Sequence, residues 1–147
     1  MKNTKSEIRN SKSRCPDRDP DITQSKILMS SGQIRNPKIE TVDNRNSDRD
    51  YFVNIEFPEF TCVCPRTGLP DFANIKIEYI PDKLIIELKS LKYYFISFRN
   101  VGTFHEDVVN KILDDLVAAC APRKMKIVGE FSVRGGLKTT VTASYPA

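Results

Sequence analysis

The sequence predicts an α+β domain: an antiparallel four-stranded sheet with two helices on one face, in the order β-β-α-α-β-β. Three observations predict it. Two stretches, Ala73–Lys89 and Lys126–Tyr145, each hold a pair of alternating apolar runs around a turn signal. Between them, apolar residues recur twice at helical spacing. Strands grouped apart from helices, rather than alternating with them, indicate an antiparallel sheet with a helical layer.

The elements follow in order. Tyr51–Phe57 alternates loosely and reads as an initial extended strand. Residues 58–72 hold Pro58, Pro65, Gly68 and Pro70 and read as a loop. Ala73–Tyr79 puts Ile75, Ile77 and Tyr79 on one face. Ile80-Pro-Asp-Lys83 is a turn signal, and Leu84–Lys89 reads as the returning strand of a hairpin. Ser90 is a candidate cap for a helix whose Leu91, Tyr94, Phe95 and Phe98 fall at i, i+3, i+4 and i+7. Asn100–Thr103 breaks that helix. Thr103-Phe-His-Glu106 is a capping box opening a second helix, with Val108, Ile112 and Leu116 on its inner face. Lys126–Val133 and Leu137–Tyr145 are the last two strands, joined by a tight turn at Arg134-Gly-Gly136. Four strands leave two open edges, which further copies of the chain would cover, so an oligomer is expected.

Every aromatic residue of the 147-residue chain lies at or after Tyr51. Residues 1–50 carry 11 Lys/Arg and 8 Asp/Glu among many Asn and Ser, too little apolar area to offset chain entropy. They are expected to be a disordered arm, and residues 51–147 the folded domain. The arm holds most of the net charge of +4. The near-neutral domain gives no footprint for nucleic acid. No run approaches the ~20 apolar residues of a membrane span, and no apolar signal core opens the chain. Met29 offers an alternative start. The expected location is the cytoplasm, where thiols stay reduced.

The stretch Phe60-Thr-Cys-Val-Cys-Pro-Arg-Thr-Gly-Leu-Pro-Asp-Phe72 carries two of the four cysteines and admits three readings. A metal site would need Cys62, Cys64 and the single His105, without any C-x-x-C pair. A disulfide between neighbours at i and i+2 would be strained, and a bridge to Cys120 would need the fold to bring it near. The third reading is a nucleophile: Cys64, before Pro65 and near Arg66, with Asp71 as a proton carrier and His105 and Glu106 opening a helix, where a carboxylate and an anionic ligand are both favoured. A small buried thiol, a turn aspartate and a capping glutamate are the bland equivalents.

Two further motifs bear on the choice. Glu87-Leu-Lys-Ser-Leu-Lys-Tyr-Tyr94 resembles, at all eight positions, the signature of the 7-cyano-7-deazaguanine reductases. Pro58–Phe72 resembles that family's catalytic loop. Ser97–Asn100, Phe104–Asp107, Pro122-Arg123 and Arg134–Gly136 match in order. The resemblance runs from about Asp48 to Tyr145 and is to the short, single-module branch.

The resemblance implies the tunnelling fold, shared with type I GTP cyclohydrolases, in which subunits close a barrel and active sites lie between them. Short members are similar to a decamer of two pentamers. It implies reduction of a nitrile to an amine with NADPH, in queuosine synthesis for transfer RNA, with 7-cyano-7-deazaguanine as substrate and no nucleic acid bound. By position it makes Cys64 the nucleophile that forms a thioimide and Asp71 the general acid. Glu106, His105 and the segment Ile86-Glu87-Leu88 become substrate contacts. Lys89, Ser90, Lys92 and Arg134 become candidates for NADPH phosphates, and no metal is required. The rival classes are a zinc cyclohydrolase of the same fold and a non-catalytic oligomeric binding module.

Overall fold

The computed structural model describes residues 37–146. Six strands and two helices follow in the order β1 (Thr41–Asp43), β2 (Val53–Val63), β3 (Pro70–Ile80), β4 (Leu84–Ile86), α1 (Leu88–Ser97), α2 (His105–Cys120), β5 (Lys124–Phe131) and β6 (Thr140–Tyr145). A 3-10 turn, Phe98–Asn100, follows α1. The main sheet is antiparallel with strand order β2-β3-β5-β6. The predicted order of elements holds, with different strands filling it.

The stretch expected to be a loop is mostly sheet. β2 and β3 form a long hairpin joined at residues 64–69. Pro58 does not break β2, because β2 is an edge strand and the pairing slips between Phe57 and Phe60. An edge and a bulge are the places where a strand accepts proline. The hairpin predicted for Ala73–Lys89 does not form. Leu84–Ile86 pairs instead with Thr41–Asp43, making a separate two-stranded sheet. The folded unit therefore begins before Tyr51: Ile39 packs on the core, Asn44 is buried, and Arg123 binds Asp50, Ser47 and Asp82. The rest of the expected arm, with Cys15 and Met29, lies outside the described residues.

Alternation along β3 and β5 divides the sheet into two faces. Ala73, Ile75, Ile77 and Tyr79, with Met125, Ile127 and Phe131, point into the core beneath the helices. α2 supplies Val108, Val109, Ile112, Leu113 and Leu116; α1 supplies Leu91, Tyr94 and Phe95. These are the residues that helical spacing selected. Phe57 stacks on Phe95 at 4.9 Å, and Phe60 meets Phe95 edge-on. Gly129 lets α2 approach β5, since a Cβ there would stand 2.6 Å from a methyl of Val109. The opposite, helix-free face is polar, with Lys76 and Glu130 paired at 3.0 Å. Asn54, Glu56, Glu78, Lys126 and Val128 help line a shallow cavity of about 410 Å³ there. It contains none of the candidate catalytic residues.

Both helix caps differ from expectation. Glu87, not Ser90, caps α1: its carboxylate accepts from the N–H groups of Lys89 (2.9 Å) and Ser90 (2.7 Å). A carboxylate outcompetes a hydroxyl there because its charge also complements the helix dipole. Phe104 occupies the cap position of α2, and Thr103 makes no capping bond to the helix. Instead the Thr103 N–H donates to Val63, and the Val63 N–H donates to Val101. Strand-like pairing has pulled Thr103 out of the capping box.

Candidate active site

The loop after β2 is closed by its own backbone. The Cys64 N–H donates to Leu69 O, and the Gly68 N–H donates to Cys64 O, both at 2.9 Å. Gly68 has φ +70°, the left-handed conformation that glycine adopts without strain. Pro65 offers no N–H, so the donors that reach back to Cys64 are those of Arg66 and Thr67. With the Thr67 hydroxyl as the largest influence, they lower the Cys64 thiol below its ordinary pKa, against opposition from partial burial and Asp71. Cys64 is a free, partly exposed thiol held in a cradle of hydrogen-bond donors, which favours its nucleophilic form.

Cys62 is different. Its side chain is fully buried, and burial, reinforced by Asp71, pushes its thiol up to about 11. It stays protonated at neutral pH. Cys120 sits at the far end of α2, about 22 Å along the axis from His105, and its sulfur donates to Leu116 O. The fold therefore separates Cys120 from the loop by far more than a disulfide spans. Among the described residues, no three His, Cys, Asp or Glu side chains converge as a metal-binding set.

Asp71 pairs with Cys62 across the hairpin and points inward. It is only 4% exposed, a position where a carboxylate costs several kcal/mol unless it is paired. Two groups hold it. Arg134 Nε lies 2.9 Å from Oδ1, and His105 Nε2 lies 3.5 Å from Oδ2. Arg134 also donates through Nη2 to Pro70 O at 2.6 Å. The His105 ring lies flat on Phe131, with centroids 3.7 Å apart and planes 7° apart. The clamp of Val63 against residues 101–103 places the start of α2 beside the loop, so Cys64, Asp71 and His105 come from three elements to one place.

Glu106 is exposed in the first turn of α2, next to His105. Among the described residues it makes no ion pair. The segment Ile86-Glu87-Leu88 is elsewhere. Ile86 is buried, Glu87 is engaged as a cap, and Leu88 is exposed at the first position of α1. α1 spans ten residues, about 15 Å, and its other end leads to the Cys64 loop. Glu87 thus stands a helix length from Cys64 of the same copy.

Sequence reasoning missed three contributors. Thr67 was legible in principle: a residue at +3 with a hydroxyl can return to Cys64 as a cap does. Phe131 carried no signal beyond strand alternation. The pairing of Arg134 with Asp71 joins residues 63 positions apart and has no local trace.

The family model described as QueF-like protein matches residues 70–147. The NADPH-dependent 7-cyano-7-deazaguanine reductase of Chloroherpeton thalassium is 61% identical over 109 residues, 74% of this chain and 94% of the relative. That of Chlorobaculum tepidum is 60% identical over 107 residues, 73% of this chain and 92% of the relative. The chain belongs to this reductase family. A solved archaeosine synthase QueF-like protein in its apo form superposes with a TM-score of 0.60 at 25% identity, over 63% of this chain and 91% of that one.

NADPH is named with these reductases, and the surface residues can be compared with its phosphates. Lys89 and Lys92 are exposed at i and i+3, on one face of the first turns of α1. Two ammonium groups suit an anion by their charge alone, since the Glu87 carboxylate already takes the N–H groups of the helix N-terminus. Ser90 does not: it is buried, and its hydroxyl donates to Glu87 O and accepts from the Glu40 N–H. Arg134 is already committed to Asp71 and Pro70.

Proposed function

We propose that the protein reduces the nitrile of 7-cyano-7-deazaguanine to the aminomethyl group with NADPH, in queuosine synthesis for transfer RNA. The observation that carries this reading is the meeting of an activated thiol, Cys64, with a buried, doubly held carboxyl, Asp71. The Cys64 thiolate adds to the nitrile carbon and forms a thioimide, which splits one hard reduction into easier steps. Asp71 delivers a proton to the nitrile nitrogen. NADPH supplies the hydrides. The cradle of Arg66 and Thr67 receives the thiolate again when the adduct collapses.

Glu106 recognises the base. A carboxylate accepts two parallel hydrogen bonds from a guanine-like amidine edge. His105 borders the same space from the same turn. The Ile86-Glu87-Leu88 segment contacts substrate through its backbone and Leu88, since the Glu87 carboxylate is used as a cap. Glu87 lies a helix length from its own Cys64, so this contact comes from a second copy. Lys89 and Lys92 hold the cofactor phosphates.

This supports an assembly with active sites between subunits. β2 and β6 are open edges on which the sheet can continue into neighbours. The assembly is a decamer of two pentamers closing a tunnelling-fold barrel, and the polar, helix-free face lines its interior. No helix of the described residues is long and apolar enough to cross a membrane.

The test is intact mass after incubation with the nitrile base alone. A gain equal to the whole base, kept in Cys62→Ala and lost in Cys64→Ala, is expected. Full NADPH oxidation by Cys64→Ala would sink the mechanism. Stoichiometric zinc with no thiol adduct would favour a cyclohydrolase.

A further inference from the structure

We infer that Tyr79 is a positioning residue for substrate binding: its hydroxyl holds Ile86, and with it the segment Ile86-Glu87-Leu88, against the main sheet. This rests on the reading of that segment as a substrate contact given above.

β4 needs such an anchor. It is three residues long and pairs with the three residues of β1, in a sheet separate from the main one. A two-stranded sheet of that size is marginal by itself. Its ladder also leaves one donor over. The Glu87 N–H donates to Glu40 O, and the Asn44 N–H donates to Lys83 O. Bonded and non-bonded rungs alternate in an antiparallel pair, so Ile86, opposite Thr41, sits on a non-bonded rung with its N–H turned away from β1. Ile86 is buried, and a buried N–H needs an acceptor. Tyr79 supplies it. The Ile86 N–H donates to Tyr79 Oη at 3.2 Å, and Tyr79 is itself only 1% exposed. Among the described residues, no other hydrogen bond joins the four-stranded sheet to β4.

What the segment presents to a ligand depends on that anchor. The Glu87 carboxylate takes the N–H groups of Lys89 and Ser90 and leaves that of Leu88. The Leu88 N–H, with its exposed side chain, is therefore the donor offered to an acceptor atom of a guanine-like base. Its place follows from that of Ile86, two residues before. β3 thereby serves two sites. Asp71 is its second residue and Tyr79 its second-last, about 26 Å apart at the rise of a strand. Asp71 belongs with its own Cys64, while Tyr79 sets the segment that reaches a second copy.

The test separates binding from chemistry. Affinity for the nitrile base is measured by calorimetry in a Cys64→Ala background, where no adduct forms. The adduct rate at saturating base is followed by intact mass with Cys64 present. Tyr79→Phe keeps the ring and removes the acceptor. It is expected to weaken base binding about tenfold, as suits a buried donor left without its partner. The adduct rate at saturation is expected to stay within about twofold of the wild type, because Cys64 and Asp71 are untouched. A tyrosine with a structural role alone would lower stability to denaturant and leave affinity unchanged. Leu88→Pro tests the underlying reading. Proline suits the first position of a helix, and Glu87, at φ −82° and ψ 121°, has the backbone that a residue before proline adopts. The substitution deletes the Leu88 N–H and side chain, and it is expected to weaken base binding too. Wild-type affinity in Tyr79→Phe beside weakened binding in Leu88→Pro overturns the inference and leaves Tyr79 a core residue. Wild-type affinity in Leu88→Pro overturns the reading of the segment as a substrate contact instead. Should Tyr79→Phe melt early, amide exchange of the unaltered protein decides: Ile86 is expected to exchange slowly, like the amides of β3, and exchange at the rate of an exposed amide overturns the inference.

Discussion

His105 reaches Asp71 edge-on, its Nε2 3.5 Å from the carboxyl, while its face rests on Phe131. Stacking sets the ring's plane, and the edge does the polar work. His105→Phe keeps the stack and deletes the nitrogen. We expect an intact fold with turnover reduced roughly tenfold, the worth of one polar contact to the carboxyl. Unchanged steady-state rates would reduce His105 to a packing residue.

Asp71→Asn preserves the shape and one acceptor for Arg134 but cannot deliver the carboxyl proton. Turnover is expected to fall by about 10²- to 10⁴-fold, with little change in substrate KM. The measurement is NADPH oxidation under saturating base. A rate near that of the wild type would leave Asp71 as a structural partner of Arg134.

The Thr67 hydroxyl is the largest cause of the lowered Cys64 pKa. Lowering favours the thiolate, so alkylation of Cys64 should persist to lower pH than for an ordinary thiol. Thr67→Val weakens the cradle. Its alkylation–pH profile should move upward, with slower labelling at neutral pH and equal labelling at high pH. Cys62, shut in the core with its thiol at about 11, should remain unlabelled in the native protein throughout. Superimposable profiles for the two proteins would remove the hydroxyl from the account.

Gly129→Ala would bring a Cβ to 2.6 Å from Val109 and 3.1 Å from Phe131. Overpacking of this kind costs about 1–3 kcal/mol. Denaturant unfolding should show that loss. Activity should fall too, because Phe131 is the surface on which His105 lies. Wild-type stability would mean that α2 can lift from β5 without cost.

The sequence and the structure part company for identifiable reasons. Helical spacing identified Leu91, Tyr94, Phe95, Val108, Ile112 and Leu116 as core, since periodicity is a local property. Arg134–Gly136 was legible as a turn because glycine marks positive φ. Residues 58–72 were misread because proline was weighed without knowing that β2 lies at an edge. Leu84–Ile86 was given the wrong partner: Thr41–Asp43, within a polar stretch, offers little apolar pattern of its own. The chemistry of Cys64, Asp71 and His105 was legible as residue types near motifs. Their mutual orientation depends on Arg134 and Phe131, which tertiary pairing alone brings to the site.

The slip in β2 has a genetic consequence. Before it, Ile55 and Phe57 face Ile77 and Ile75; after it, Phe60 and Cys62 face Ala73 and Asp71. Odd positions turn inward on one side and even positions on the other, because a single extra residue is accommodated between them. The pleat therefore has a reading frame, and Pro58-Glu59 is where it shifts. Loss of one codon there would only remove the extra residue and leave Phe60 and Cys62 facing Ala73 and Asp71 as before. Loss of the Thr61 codon, beyond the slip, would instead turn Cys62 toward the polar face and rotate the Cys64 loop away from Asp71, a frameshift in the sheet without one in the message.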